Sequence, residues 1–358
     1  DFGSYSLKIY AEGKGIVVDE PSIVAIDNQT GHPIAFGKAA DNVYGRCSDD
    51  ISISKVINNG VISDFVMAER MLRYYIQRVC GNRIYKPNII LSLPADISSL
   101  EKKTFLDVVT LTGAGRVCMV EGVLASAFGC DFTNDKIGGK MVIDIGHHIT
   151  EYAIVSMGGI GVKGTIKHGS YEIDKAIINH LRKDRDILIG PHTVREIKNK
   201  ITSAEKRECE TALFVSGKSI LDNLPISFEI TSTEVYPYVD EQINLIINEI
   251  HQDILKVSPD LLSDAADHGI SLCGGGSLIF DMADRLSQQL SIRCKTIDEP
   301  RLAKIKGLGQ LVTNEKFLED KTVKVTHFIT VDQFNIVAST HSVKLYELSE
   351  RYNRLEEN

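Results

Sequence analysis

The chain has 358 residues, 43% of them hydrophobic and 25% charged, with a formal net charge of −8. That length suggests two domains, or one large subdivided domain, with enough apolar residues for a real core. The acidic balance leaves no basic field for phosphate backbones and argues against a general nucleic-acid binder. No run approaches the roughly 20 apolar residues of a membrane span. Seven cysteines, at 47, 80, 118, 130, 209, 273 and 294, form no C-x-x-C pair, which suggests a reduced, cytoplasmic protein. The chain opens at Asp1, inside a motif and without a methionine, so residues upstream of it are expected.

In chain order, Asp1 to Tyr10 reads as an apolar strand and Gly13-Lys14-Gly15 as a turn. Stretches 16–18 and 22–26 continue a β-meander. Residues 63–80 predict a helix with Ser63 as its N-cap. The continuous apolar run 88–93 (NIILSL) fits a strand buried on both faces and ended by Pro94. Residues 99–111 have helical spacing closed by Gly113, 116–121 predict a strand and 123–129 a short helix. Stretches 140–146 and 151–156 form a hairpin, and 171–184 and 193–200 are helical. Within 241–257, Ile243, Ile246, Ile247, Ile250 and Ile254 share one helical face. Residues 269–273 predict a strand running into Gly274-Gly275-Gly276, then a helix over 277–290. The tail, 314–358, alternates near 325–338 and ends in a charged helix near 344–357.

Two hairpins carry Asp-x-Gly, at Asp1-Phe2-Gly3-Ser4 and at Asp144-Ile145-Gly146. This weak duplication implies two related α/β halves with a ligand between them. Backbone N–H groups in a tight glycine turn form an anion nest, and an adjacent carboxylate can hold hydrated Mg²⁺ against phosphate oxygens. Ser4 and Lys8 can serve the same phosphates. Either loop alone fits an ordinary hairpin, and Lys8 fits a solvated strand position equally well. The three glycines at 274–276 let backbone approach a base or ribose, and the following helix adds its N-terminal dipole. A plain strand-to-helix turn needs fewer glycines.

Several segments resemble the bacterial actin MreB and its paralogues. They are KGIVVDEPSIVAID (14–27), NNGVISDF (58–65), IDKAIINHLR (173–182), IKNKITSA (197–204), TSTEV (231–235) and LCGGGSL (272–278), in family order over about residues 1–312. The resemblance implies the α/β actin/Hsp70/sugar-kinase (ASKHA) fold, with two domains, each split in two, around an ATP cleft. It divides the chain into domain I (1–135), domain II (136–312, whose final part returns to domain I) and a C-terminal extension (313–358). It also implies head-to-tail filaments at the inner membrane that guide cell-wall synthesis and shape. The nucleotide contacts it implies are Gly3, Ser4, Lys8, Gly146, His147, Gly169, Lys198, Gly274, Gly275 and Gly276, with Asp1 and Asp144 on Mg²⁺ through water.

The departures from that family bear on chemistry. Its second phosphate loop resembles Asp-Ile-Gly-Gly-Gly-Thr-Thr-Glu, where this chain has Asp144, Ile145, Gly146, His147, His148, Ile149, Thr150 and Glu151. Its Ile-Glu-Glu-Pro becomes Val120-Glu121-Gly122-Val123. The glutamate that orients the attacking water thus falls on Gly122, and its threonine partner on Ile149. Neither residue can hold water in line with a γ-phosphate. At ~10²-fold for each positioning group, losing both predicts a rate about a thousandfold or more lower. Glu121 is one residue away, but neighbouring strand residues point to opposite faces. The family's Gly-Gly-Asp reads Gly169-Ser170-Tyr171, its Ile-Lys-His-Glu stretch carries Lys200 in place of the glutamate, and Leu7 replaces a threonine.

Adjacent strand histidines do not both face one metal ion, so His147 and His148 predict phosphate contact or space filling. GNRIYKP (81–87) falls where MreB carries a membrane-inserting loop; Ile84 and Tyr85 between Arg83 and Lys86 suit an anionic bilayer, and equally a loop packed on its own domain. The expected protein is a cytoplasmic filament subunit, peripheral at the inner face of the membrane. Its expected partners are itself, an active MreB paralogue and cell-wall elongation membrane proteins, and it binds ATP or ADP without efficient hydrolysis. The alternative is an active ATPase of the same fold with a rebuilt hydrolytic site. A sugar kinase needs a catalytic aspartate and a sugar pocket, and an Hsp70-type chaperone needs a separate substrate domain larger than this tail.

Overall fold

The computed structural model describes residues 1–81, 86–131, 139–156, 159–313 and 324–326. Ile84 and Tyr85 lie outside them, as does the expected helix near 344–357.

Strands β1 (Ser6–Ala11) and β2 (Gly15–Pro21) form an antiparallel pair around the predicted Gly13-Lys14-Gly15 turn. Next comes β3 (Ile23–Asp27), flanked antiparallel by β4 (Pro33–Phe36) and, beyond α1 (Lys38–Val43), by β5 (Ile51–Lys55). A short pair, β6 (Ile57–Asn58) and β7 (Val61–Ile62), leads into α2 (Phe65–Cys80). The cap of α2 is Asp64, whose side chain accepts from the Met67 N–H, and not the expected Ser63. Ser63 Oγ instead donates to the Lys55 carbonyl.

β8 (Ile89–Leu93), α3 (Ser99–Leu111) and β9 (Val117–Glu121) follow, with β8 and β9 parallel. Ser98 and Glu101 close a capping box at the start of α3. Helix α4 (Gly122–Gly129) begins directly at the end of β9.

Strands β10 (Lys140–Ile145), β11 (Thr150–Ser156) and β12 (Gly159–Ile166) form an antiparallel meander that starts a second sheet. After α5 (Ser170–Asp184), β13 (Ile187–Leu188) and α6 (Pro191–Ile201), the strands β14 (Ala212–Ser219) and β15 (Pro225–Thr231) join β13 in a small sheet of their own. Helix α7 (Ser232–Ile254) begins nine residues earlier than its isoleucine periodicity suggests. Thr231 caps it by accepting from the Glu234 N–H, and Pro237 sits inside it. All five predicted isoleucines are buried in the core.

Helix α8 (Pro259–His268) precedes β16 (Ile270–Cys273), which lies parallel to β10 and to β17 (Cys294–Thr296). The predicted helix over 277–290 is two pieces, a 3₁₀ turn at Gly275–Leu278 and α9 (Met282–Leu290). Asp281 breaks them apart in the left-handed region, at φ 59°. Helix α10 (Ala303–Thr313) closes the main body, and β18 (Lys324–Thr326) pairs antiparallel with β9.

Two large apolar cores result, one within residues 2–117 and one within 141–294. A third joins β9 and α4 to α10, so the last helix packs on the first half of the chain. A fourth cluster, including Ala95, Val123, Val142, Ala153 and Ala303, lies where the two halves meet. Here α4 and α10 approach backbone to backbone. A Cβ on Gly129 would collide with the Ala303 carbonyl, and one on Gly307 with the Ala125 carbonyl. Gly307→Ala is therefore expected to lower stability by about 1–3 kcal/mol, read as a fall in the urea midpoint at unchanged slope.

Candidate functional site

The two halves enclose a cleft of about 420 Å³, lined from both sides by the hairpin turns and the glycine turn. On the first wall are Asp1, Gly3, Ser4 and Lys8; on the second are Asp144, Gly146, His147, Ile149 and Lys198; Gly274 and Gly275 close one end. Gly122 also reaches the cleft. These residues come from distant parts of the chain, as the duplicated hairpins imply.

Not every expected contact lies on the wall. Gly169 caps α5 from behind the 146–147 loop, where a Cβ would sit 2.6 Å from the His147 carbonyl oxygen. A Cβ on Gly276 would collide with the Ile145 side chain. Both glycines are absent from the lining and permit close backbone packing. Gly274 does line it, at φ 80°, with its Cα edge against Asp144 Oδ1. Lys200 pairs with Glu196 on the outer face of α6, away from the cleft.

Gly122 and Ile149, which occupy the positions of the family's water-orienting pair, both line the cleft. Ile149 packs toward Gly60, where an added Cβ would lie 3.2 Å from Ile149 Cδ1. Thr150, next along, is buried and donates to the His168 carbonyl at 2.8 Å, so its hydroxyl is committed elsewhere. Glu121 is turned to another partner. Its Oε1 pairs with Lys163 Nζ at 2.6 Å, and the residue is not part of the cleft wall.

What fills the space beside Gly122 is a lysine. Lys304, in the first turn of α10, reaches across to Glu151 Oε2 at 2.9 Å and Asp144 Oδ2 at 3.1 Å. A Cβ on Gly122 would lie 3.0 Å from the Lys304 Nζ and 2.9 Å from Glu151 Oε2. Each carboxylate has a further donor: Ser126 Oγ to Asp144 at 2.6 Å, and the Ala95 N–H to Glu151 at 3.0 Å. Burial pulls the Lys304 pKa down, but Asp144 and Glu151 more than offset it, and the net shift is upward. Lys304 is therefore a fixed positive charge. Sequence reasoning missed it, because a lysine among α10 residues gives no sign of the carboxylates it meets.

The other expected metal carboxylate is similarly engaged. Asp1 Oδ2 accepts from Lys8 Nζ at 3.2 Å. Lys8 is buried, which pulls its ammonium down to about 8. Asp1 and Asp144 thus do not fit a divalent cation. Each already holds a lysine ammonium, and like charges about 4 Å apart repel by about 4 kcal/mol per unit charge at an effective dielectric near 20. Among the described residues no group of three or more His, Cys, Asp or Glu is placed to hold a metal ion.

The histidine pair joins an aromatic cluster. The His147 ring centroid lies 5.3 Å from that of Tyr5 across the cleft and 5.1 Å from that of Tyr171, and the His148 centroid lies 4.6 Å from that of Tyr171. His148 is buried, and its Nδ1 accepts from the Asn59 N–H at 3.3 Å. Burial, then Lys55 and Lys175, push its pKa down to about 4. Burial also holds His147 well below the ordinary histidine value, with Lys198 and His148 adding to the effect. Both rings are neutral near pH 7. At the mouth, Arg195 of α6 grips Asp41 of α1 through both guanidinium nitrogens, at 2.9 and 3.2 Å. Lys198 is held by Asp174 at 2.8 Å and the Ser170 carbonyl at 3.2 Å.

Comparison with known proteins places this geometry. The family model described as MreB/Mbl protein matches residues 1–320. Cell shape-determining protein Mbl of Bacillus subtilis (strain 168) is 29% identical over 315 residues, 88% of this chain and 95% of that protein. Cell shape-determining protein MreB of Escherichia coli (strain K12) is 29% identical over 316 residues, 87% and 91% of the two. The crystal structure of MreB5 of Spiroplasma citri bound to ADP matches at TM-score 0.82 and 28% identity, over 89% of this chain and 94% of that one. The same protein bound to AMPPNP matches at TM-score 0.83 and 28% identity, over 89% and 95%. The MamK double helical filament, at TM-score 0.74 and 15% identity over 88% and 97%, shares the actin-like fold. The chain belongs to the MreB/Mbl protein family.

Proposed function

We propose that this chain is a cell-shape filament subunit that binds a nucleoside di- or triphosphate in the cleft and hydrolyses it inefficiently or not at all. The observation that carries the reading is the occupancy of the water-positioning place. Gly122 and Ile149 offer no side-chain hydrogen bond there, the Thr150 hydroxyl donates to the His168 carbonyl, Glu121 Oε1 is paired with Lys163, and the Lys304 ammonium stands beside Gly122. An ammonium is a donor without a lone pair, so it takes no proton from water. The ADP and AMPPNP complexes of the Spiroplasma relative support the nucleotide.

Assembly in this reading is head to tail between copies of the chain. A heterologous contact that does not close propagates as a filament, and the MamK filament supports that mode. The filament lies on the cytoplasmic face of the membrane with an active paralogue and membrane proteins of cell-wall elongation. In this reading the lobes are 1–135 and 136–312, the final part of the second returning to the first through α10, and 313–358 is an extension. No described helix is long and apolar enough to cross a membrane.

Phosphate release from ATP, measured on protein that pellets as polymer, is expected to stay at background. Release at the pace of an ordinary bacterial actin would overturn the reading of the cleft. Gly122→Glu combined with Ile149→Thr is expected to stay at background too, because the new side chain would begin 3.0 Å from the Lys304 Nζ and within reach of pairing with it.

The buried histidine gives a pH dependence with a definite sign. His148 titrates near 6.5 when unfolded and at about 4 when folded, so between those values the unfolded chain holds the extra proton. Stability from this group is complete above pH ~6.5 and falls as pH drops toward 4. His148→Asn, which keeps an acceptor for the Asn59 N–H, is expected to flatten the acid-side decline by on the order of 2 kcal/mol. Thermal melts across that range check it; an undiminished slope would assign the decline to other groups.

A further inference from the structure

Resting on the nucleotide reading above, we infer that Lys304 supplies from within the chain the positive charge that a divalent metal would supply, so that the cleft binds nucleotide phosphates without magnesium. The inference stands on three placements. First, Lys304 Nζ sits between Asp144 Oδ2 and Glu151 Oε2, at 3.1 and 2.9 Å, so the carboxylate that would hold a hydrated metal already holds an ammonium. Second, Lys8 does the same for Asp1 on the opposite wall, at 3.2 Å. Third, both lysines line the cleft itself, with Lys198 and Arg301. An ammonium has three N–H donors. Lys304 uses two of them on the carboxylates, and in this reading the third serves a terminal phosphate oxygen.

This arrangement exchanges a removable charge for a covalently attached one. A metal brings charge at the cost of recruiting an ion, whereas Lys304 is pre-placed by the packing of α10 on α4. The lysine does not hydrolyse the ligand, because it neither orients nor deprotonates water. It binds, and in binding it bridges β10 and β11 of one half to α10 on the other.

The test is the affinity of the full chain for a fluorescent ATP analogue, in excess magnesium and in EDTA. The expected result is the same Kd within about threefold in the two conditions. Binding that weakens more than about tenfold in EDTA overturns the inference and leaves the nucleotide reading standing. No binding in either condition overturns both. A second measurement uses magnesium chloride alone as the probe. The thermal midpoint of the natural protein is expected not to move, and that of Lys304→Met to rise, because two uncompensated carboxylates are left. A magnesium-induced rise in the natural protein, or none in a folded Lys304→Met, counts against the role of Lys304. If Lys304→Met does not fold, the comparison in magnesium and EDTA decides alone.

Discussion

Two carboxylates and one ammonium meet where the halves of the molecule join, and the cleft has its character because of them. Asp144 ends the first strand of the second sheet, Glu151 begins the next strand, and Lys304 arrives from a helix that packs on the first half. Withdrawing charges from water costs several kcal/mol for each ion, so such a group persists only when every charge is answered. Here Lys304 answers both carboxylates, Ser126 Oγ adds a second donor to Asp144 Oδ2, and the Ala95 N–H donates to Glu151 Oε1. Removing one member would strand the others, which is a larger loss than the pair gains. The triad is therefore more a constraint on geometry than a source of stability.

The position of Lys304 follows from glycine packing elsewhere. Its helix can approach α4 closely only because Gly129 and Gly307 present no side chain to the opposing carbonyls. The first turn of a helix also disfavours a cation, since the backbone dipole is positive there. Lys304 is placed against that preference, and Asp144 and Glu151 provide the compensation.

Much of the fold was legible because its signals are local. Apolar periodicity marked the isoleucine face of α7, and the NIILSL run marked β8. Boundaries were less legible where two residues could do one job: Ser63 and Asp64 are both good caps, and the side-chain geometry selected the aspartate. Asp-x-Gly and Gly-Gly-Gly marked the turns that line the cleft, although Gly276 packs against Ile145 behind it. Lys304 was not. Lys304 and Lys306 look alike in the sequence, yet Lys306 pairs with exposed Glu299 on the outside and Lys304 with two buried carboxylates. Arg195 and Asp41 were equally invisible, because no local pattern links residues so far apart in the chain.

That last pair has a consequence for how the halves part. Asp41 and Arg195 join the halves across the mouth, the His192 ring contacts the Asp41 carbonyl at 2.9 Å, and Tyr5 meets His147 further in. None of these contacts requires a ligand. A ligand that spread the halves at this point would have to break them. Partly exposed ion pairs weaken as salt rises. The ease with which the halves separate at this edge would then follow ionic strength.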